Sequence, residues 1–344
     1  MVTPGARTTW PSLAGASMGN LSALVFVFLS FALPTLSSHY RRNRMALYAC
    51  WFTLAAHHAV AFVNAFITPV TSGWGDLYMF HNMGAGIANA QAGYQPYGEF
   101  LKILYRVFGI SFWLGEVTSI LVYSLSLLAL AELAARFGLE KSLASIVLLF
   151  GLPAGALVHR SVTMREVYQS TGLLFAILAL VRIRQGKLTA SSLLMLSVSS
   201  ASMVFLHQSL GLFILIIWVF ALPWSLKGVG SLGSTLGLIA LFSAPIVLPN
   251  LTAILASDSA TLRAFEEGRL LEYAANYREH VNEARSDYGM SIDSSSILDF
   301  ATTSTVVVAL YFLAPMPWQM GSPIDVIACA ENFLRLALFY GVYR

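Results

Sequence analysis

Long apolar stretches alternate along this chain with polar connectors, and nearly all charged residues fall in the connectors. The longer stretches approach the roughly 20 residues that an α-helix needs to cross the hydrocarbon core of a bilayer. They are continuous and do not alternate with a period of two, as the strands of a membrane barrel would. Because backbone polar groups in lipid must be satisfied within the span, the pattern predicts transmembrane helices.

We therefore predict an all-α fold, a polytopic transmembrane bundle of about ten membrane helices, plus an amphipathic helix outside the membrane. Residues 1–344 would form a single integral membrane domain. An outer connector with short helices is expected at 71–110, and a long polar loop with the amphipathic helix at 257–299. The predicted spans are 21–36, 45–70, 111–134, a pair flanking 159–166, 188–206, 209–224, 232–251, 300–313 and 324–342.

The short basic connectors predict the orientation. Arg41, Arg42 and Arg44 follow the first span, and Arg182 and Arg184 follow the fifth. Basic residues in short loops mark the cytoplasmic side of a membrane protein. The N-terminus is therefore predicted to lie outside.

Composition supports the membrane prediction and excludes some partners. The chain is 57% hydrophobic and 11% charged, whereas about a quarter of the residues of a soluble domain are charged. A net charge of +3 with scattered basic residues does not indicate a nucleic-acid partner. Cys50 and Cys329 lie in apolar stretches without CxxC spacing, so we predict neither a disulfide framework nor a zinc site.

Under this topology, ionisable residues of several connectors lie on the outer side. Charges near lipid usually face protein or a wet cavity, so these connectors predict one outward-facing polar site. The planar fork of arginine matches phosphate oxygens, so Arg160 and Arg165 are candidate binders of a lipid-linked phosphate. The residues concerned are Asp76, His81, His159, Arg160, Arg165, Glu166 and His207.

Each of these residues also has a purely structural interpretation, which the sequence leaves open. Asp76 follows a glycine-containing turn and would serve equally as a helix N-cap. Arg165 and Glu166 are also consistent with interfacial charges at a helix end, and His207 with a hydrogen-bonded interfacial group.

Short motifs spread over most of the chain carry a resemblance to a family. They are Asp76 and Tyr78 in GWGDLYMF, then GEFLKILYRVFG, SVTMREVYQ, FLHQSLGLF and, late in the chain, FLAPMPWQM. Together they resemble poorly characterised bacterial inner-membrane proteins associated with surface-polysaccharide synthesis. That family is distantly similar to C-type glycosyltransferases and to oligosaccharide repeat-unit polymerases of the O-antigen type.

The resemblance implies glycosyl transfer at the outer face of the bacterial cytoplasmic membrane, from a polyprenyl-phosphate-linked donor to a glycan acceptor. It implies catalytic roles for Asp76, Glu166 and His207, with Asp76 as the general base. Arg160 and Arg165 would bind the phosphate, and Tyr78, His81 and His159 would complete the substrate site.

We expect no cofactor. The chain has no GxxxxGK[ST] loop for a nucleoside triphosphate. Related C-type enzymes can use a divalent metal, but the single Asp-x-Tyr of this chain, in place of paired acids, does not support one. A polysaccharide assembly complex is a further expected partner, together with membrane lipids.

Two other functions stay open. A transporter or flippase for a lipid-linked or anionic substrate would also carry charges within the membrane. A non-catalytic subunit of a polysaccharide assembly complex would need none of the polar residues named above. The crowding of charges at one interface, without a visible inverted repeat, favours the enzyme.

Overall fold

The structure is a computed structural model that describes residues 18–68, 70, 74–88, 95–185 and 189–206, and beyond them only single residues and short stretches. The chain divides into two compact units, Met1–Val247 and Leu248–Arg344. In the second unit, the longest described stretch is the helical segment 329–334. The fold below is that of the first unit.

All the regular secondary structure in the described part of the first unit is helical. One turn of 3-10 helix, Glu140–Ser142, precedes α7. The α-helices are α1 (Met18–Leu36), α2 (Ser38–Arg42), α3 (Arg44–Phe66), α4 (Trp74–Gly84), α5 (Gln95–Phe108), α6 (Phe112–Arg136), α7 (Leu143–Gly151), α8 (Ala154–Ser161), α9 (Glu166–Arg184) and α10 (Ala190–Leu206).

Four of these helices, α1, α3, α6 and α9, are long and apolar enough to cross a membrane, and α10 is a shorter apolar helix. The all-helical fold is therefore confirmed for the described residues, and four helices that could span a membrane are compatible with a multi-pass membrane protein. The number of about ten spans is not confirmed. The predicted spans 209–224 and 232–251 lie outside the described residues, as do most of 300–313 and 324–342 and nearly all of the loop 257–299.

The predicted fourth span differs from expectation. It is divided into α7 and α8, which are nine and eight residues long. Pro153 stands between them. Proline lacks the amide hydrogen that a continuing helix needs, which explains the interruption.

Helix α6 forms the centre of the bundle. It packs against α1, α3, α8 and α9. In its most apolar 18-residue window, 67% of the residues are buried, compared with 22% in α1. Apolar residues of α1, such as Phe28 with 75% exposure, face outward instead. An exposed apolar surface of this kind suits contact with lipid.

The bundle has two chemically different ends. The basic end, which we name for Arg41, Arg42 and Arg44, is where α2 and the start of α3 lie beside the end of α6. There Tyr40 donates a hydrogen bond to the Leu127 carbonyl at 2.8 Å. At the opposite end, which we call the α4–α5 end, Ser22 of α1 donates to the Phe108 carbonyl at 3.0 Å. The Ser111 side chain caps α6 there by accepting from the Leu114 amide at 3.3 Å.

Candidate functional site

The α4–α5 end encloses a fully buried carboxylate, Glu116, in the first turns of α6. Asn64, near the end of α3, donates its side-chain amide to Glu116 Oε1. The Asn64 carbonyl oxygen accepts from the Val70 amide at 3.0 Å, which fixes the direction of the amide group. Glu116 Oε2 is buried and has no hydrogen-bond partner among the described residues.

Aromatic and hydroxyl side chains lie at the same end of α6 as this carboxyl group. His81 Nδ1 lies 3.0 Å from the Tyr105 hydroxyl. The ring of Tyr78 stacks on Phe112 with centroids 5.3 Å apart. A Cβ atom at Gly115 would lie 2.7 Å from Thr163 Oγ1 and 2.8 Å from the Tyr105 hydroxyl oxygen. Only glycine therefore allows the two hydroxyl groups to approach the start of α6 this closely.

Burial shifts the pKa values of three groups on α4 and α5, His81, Tyr78 and Tyr105, toward their neutral forms. Burial lowers the pKa of His81 to about 4, so its imidazole is uncharged. Burial and, secondarily, the proximity of Glu116 raise the pKa of Tyr78 and of Tyr105. Because Glu116 acts on the pKa of both phenols, it lies near Tyr78 and Tyr105.

The connector between α8 and α9 packs against α4. Val162 and Met164 lie in one apolar cluster with Leu77 and Tyr78. The Arg165 guanidinium carbon lies 6.0 Å from the centre of the Phe80 ring. Arg165 Nε lies 3.8 Å from Glu166 Oε1, and the two side chains are 15% and 49% exposed. The fold thus brings Arg165 to the same end of the bundle as Tyr78, His81 and Glu116.

Arg160 has a different environment. Its guanidinium carbon stacks 3.8 Å from the centre of the Phe150 ring and 5.2 Å from that of Tyr123. It also donates a hydrogen bond to the Phe150 carbonyl. These contacts tie α8 to α6 and α7, while the neighbouring His159 is exposed. Arg165 is therefore better placed than Arg160 to meet a ligand at the α4–α5 end.

Two predicted residues lie at the limits of the described structure. Asp76 belongs to the first turn of α4, but its side chain lies outside the described part. His207 also lies outside it, one residue beyond the end of α10. Leu206 packs in one cluster with Phe80 and Tyr105, so α10 ends beside α4 and α5.

Sequence reasoning missed Glu116, Asn64 and Tyr105. Glu116 and Asn64 each interrupt an otherwise apolar predicted span, and a polar or ionisable residue at such a position is a functional hypothesis by default. Tyr105 gives no such signal, since tyrosine is common wherever a membrane protein meets the interface. In the described part of the chain, no group of three or more His, Cys, Asp or Glu residues could hold a metal ion.

Comparison with known proteins adds no relative. No protein-family model matches the chain, and there is no significant match to a curated protein or to a solved structure. The resemblance carried by the short motifs therefore stays a prediction.

Proposed function

We propose that this protein transfers a sugar or an oligosaccharide from a polyprenyl-phosphate-linked donor to a glycan acceptor at the membrane surface. The observation that supports this most strongly is the packing of the α8–α9 connector on α4. That contact brings a partly exposed arginine, Arg165, to the end of the bundle that holds the buried carboxylate Glu116. A carboxylate can serve as the general base of this reaction, and a guanidinium can stabilise the departing phosphate.

The proposed step forms one bond and breaks one. The acceptor hydroxyl oxygen bonds to the anomeric carbon of the donor sugar, while the bond from that carbon to the phosphate oxygen breaks. A carboxylate accepts the hydroxyl proton, and the phosphate leaves with its electron pair beside Arg165. Asp76 is the base that the family resemblance suggests, and Glu116, a buried carboxyl group at the same end of the bundle, is a second candidate.

The neighbouring groups have supporting roles in this proposal. Glu166, with its Oε1 3.8 Å from Arg165 Nε, orients the guanidinium, and His207 orients the acceptor. Neutral His81 and the phenols of Tyr78 and Tyr105 offer hydrogen bonds to sugar hydroxyls. His159 and Arg160 would contact the substrate at the outer edge of the site only if α8 moved, given the contacts of Arg160 with Phe150.

The proposal also includes the location and the partners. The protein would reside in the bacterial cytoplasmic membrane with its N-terminus outside, so that the α4–α5 end faces the outer compartment. Its partners would be the lipid-linked donor, the acceptor glycan, membrane lipids and a polysaccharide assembly complex. No nucleic acid and no cofactor are required.

The test is to express Asp76→Asn and Arg165→Ala separately in cells that make the native glycan. Membrane levels of each variant are checked first, and lipid-linked glycan is then extracted and quantified. We expect the donor to accumulate and the product glycan to fall in both variants, with an exposed-site variant such as Arg106→Gln as a control. Unchanged glycan profiles in both variants would contradict the enzymatic function.

A transporter or flippase is the second candidate, because polar residues are buried inside the spanning helices as well. Within α3, Thr53, His57 and Asn64 are all buried. His57 Nδ1 lies 2.8 Å from Ser161 Oγ of α8. Buried polar groups along a bundle are typical of substrate pathways. A lipid-linked glycan that accumulates unpolymerised on the inner leaflet of Arg165→Ala cells would favour this function, whereas accumulation on the outer leaflet favours the transferase.

A further inference from the structure

The basic end of the bundle contains a groove of about 480 Å³ between the α2–α3 junction and the 3-10 turn that precedes α7. Four cationic side chains line it, from Arg41, Arg42, Arg44 and Lys141. All four residues are exposed, and none of them forms an ion pair within the described part of the chain. The groove therefore concentrates positive charge in a concave surface.

The one carboxylate in the groove does not neutralise this charge. Glu140 Oε1 lies 3.1 Å from His39 Nδ1, and the Glu140 backbone carbonyl accepts from the Asn43 side chain at 3.0 Å. These contacts join α2 to the 3-10 turn and shape the groove. Four cations against one engaged carboxylate favour an anionic ligand.

An exposed apolar stripe continues from the groove along α3. Met45 lines the groove itself. Tyr48 and Phe52 follow it on the same face of the helix, at spacings of three and four residues. The three side chains are 69%, 54% and 60% exposed. Since α3 is long and apolar enough to cross a membrane, this stripe is a surface for hydrocarbon chains.

We propose that the groove binds the phosphate headgroup of an anionic glycerophospholipid and that the stripe carries one of its acyl chains. Arginine forks match phosphate oxygens, and lysine adds a point charge. Basic residues in short loops are expected at the cytoplasmic side in general. That rule does not require a concave site that is continuous with an exposed apolar track, and this continuity distinguishes a lipid from a soluble phosphate.

The experiment uses the full chain, purified in a neutral detergent and mixed with phosphatidylglycerol or phosphatidylcholine at equal concentration. Native mass spectrometry counts the lipids that each protein molecule retains. We expect phosphatidylglycerol to be retained about tenfold more than phosphatidylcholine. The double variant Arg41→Gln/Arg44→Gln should lower phosphatidylglycerol retention by about tenfold, to the level of phosphatidylcholine, because it removes half of the positive charge that selects the anionic headgroup.

A matched control removes the same charge elsewhere. Lys102→Gln/Arg106→Gln neutralises two exposed cations of α5, at the other end of the bundle, and should change retention by less than about twofold. Thermal unfolding of both double variants checks that the fold survives. If the groove variant unfolds, the preference of the wild-type protein between the two lipids decides the question.

Two results would overturn the proposal. Equal retention of the two lipids by the wild-type protein would exclude selective headgroup binding. Displacement of phosphatidylglycerol by an equal concentration of inorganic phosphate would assign the groove to a soluble anion. By contrast, a loss of retention in Phe52→Ser, with the charges intact, would support the role of the apolar stripe.

Discussion

The two ends of helix α6 hold the same kind of residue in opposite surroundings. Glu132, near the basic end, is 27% exposed and lies within salt-bridge distance of three basic side chains. They are His39 at 3.3 Å, Arg136 at 2.6 Å and Arg182 at 3.4 Å. Glu116, at the other end, is fully buried and has no ion-pair partner among the described residues.

The difference separates a structural carboxylate from a functional candidate. Glu132 joins α2, α6 and α9 through its ion pairs, and this arrangement accounts for its presence in the bundle. Burying Glu116 with only an amide partner makes the folded protein less stable than a neutral side chain at the same position would. A residue retained at such a cost is more readily explained by binding or catalysis than by packing.

The largest expected effect comes from exchanging each carboxylate for its amide. Glu116→Gln keeps the side-chain volume but removes the ability to accept a proton as a base. If Glu116 is the base, glycan transfer should fall by about a thousandfold, because general bases contribute roughly a hundredfold to ten-thousandfold. Glu132→Gln should leave transfer unchanged. Both are measured as product glycan per unit of membrane-inserted protein.

Glu116→Asp provides the control, since it shortens the side chain but keeps the carboxylate, and it should retain part of the activity. Full activity in Glu116→Gln, with Asp76→Asn inactive, would assign the base to Asp76 and leave Glu116 a structural role.

The second comparison is between the two arginines near the α8–α9 connector. Arg165→Gln should lower transfer by about a hundredfold, as loss of one donor to developing charge does in other enzymes, with little change in unfolding temperature. Arg160→Gln should instead reduce the free energy of unfolding by about 3 kcal/mol, since it removes a partly buried charged hydrogen bond and two ring contacts.

Activity assays and thermal unfolding in detergent, run on both arginine variants, separate the two roles. A stable but inactive Arg160→Gln protein would show that this side chain contacts substrate after all.

The third prediction concerns the neutral histidine of the α4–α5 end. The pKa of His81 is about 4 in the folded protein, against 6.5 ordinarily. Between these values the unfolded chain binds a proton that the folded protein does not, so stability falls as the pH drops from 6.5 to 4 and is unaffected above. The loss attributable to His81 should be on the order of 3 kcal/mol.

Unfolding measured from pH 4 to 8 in wild-type and His81→Gln protein isolates this contribution. The variant should show a shallower acid limb, and the two curves should run parallel above pH 6.5. Curves that stay parallel down to pH 4 would show that the environment of His81 does not hold it neutral.

The sequence predicted those parts of the fold that depend on a single helix. The runs 21–36, 45–70 and 111–134 correspond to α1, α3 and α6, because a continuous apolar run needs only its own backbone hydrogen bonds. Pro153 could have predicted that the fourth span is divided into two helices. The mean hydropathy of the segment does not show this division, because it does not depend on the position of a proline.

The site was less predictable because it depends on contacts between distant segments. Tyr78, His81, Arg165 and Glu166 could be proposed from their places in the connectors. Glu116 could not be found while charges were sought only between spans, and its environment arises only when α3, α5 and α6 pack together.

The smallest effect is expected at the basic end. Glu132→Gln should reduce the free energy of unfolding by about 1 kcal/mol, since its ion pairs are partly exposed and each contributes little. Glu99→Gln is the matched control. Glu99 Oε1 lies 3.4 Å from Lys102 Nζ, and the two side chains are 49% and 45% exposed. Loss of this exposed ion pair should not change the free energy of unfolding measurably. Added salt should diminish the Glu132 effect, because it screens charges that solvent reaches. An effect of Glu132→Gln on glycan transfer, at unchanged stability, would instead extend the functional site along α6 and remove the contrast between its two ends.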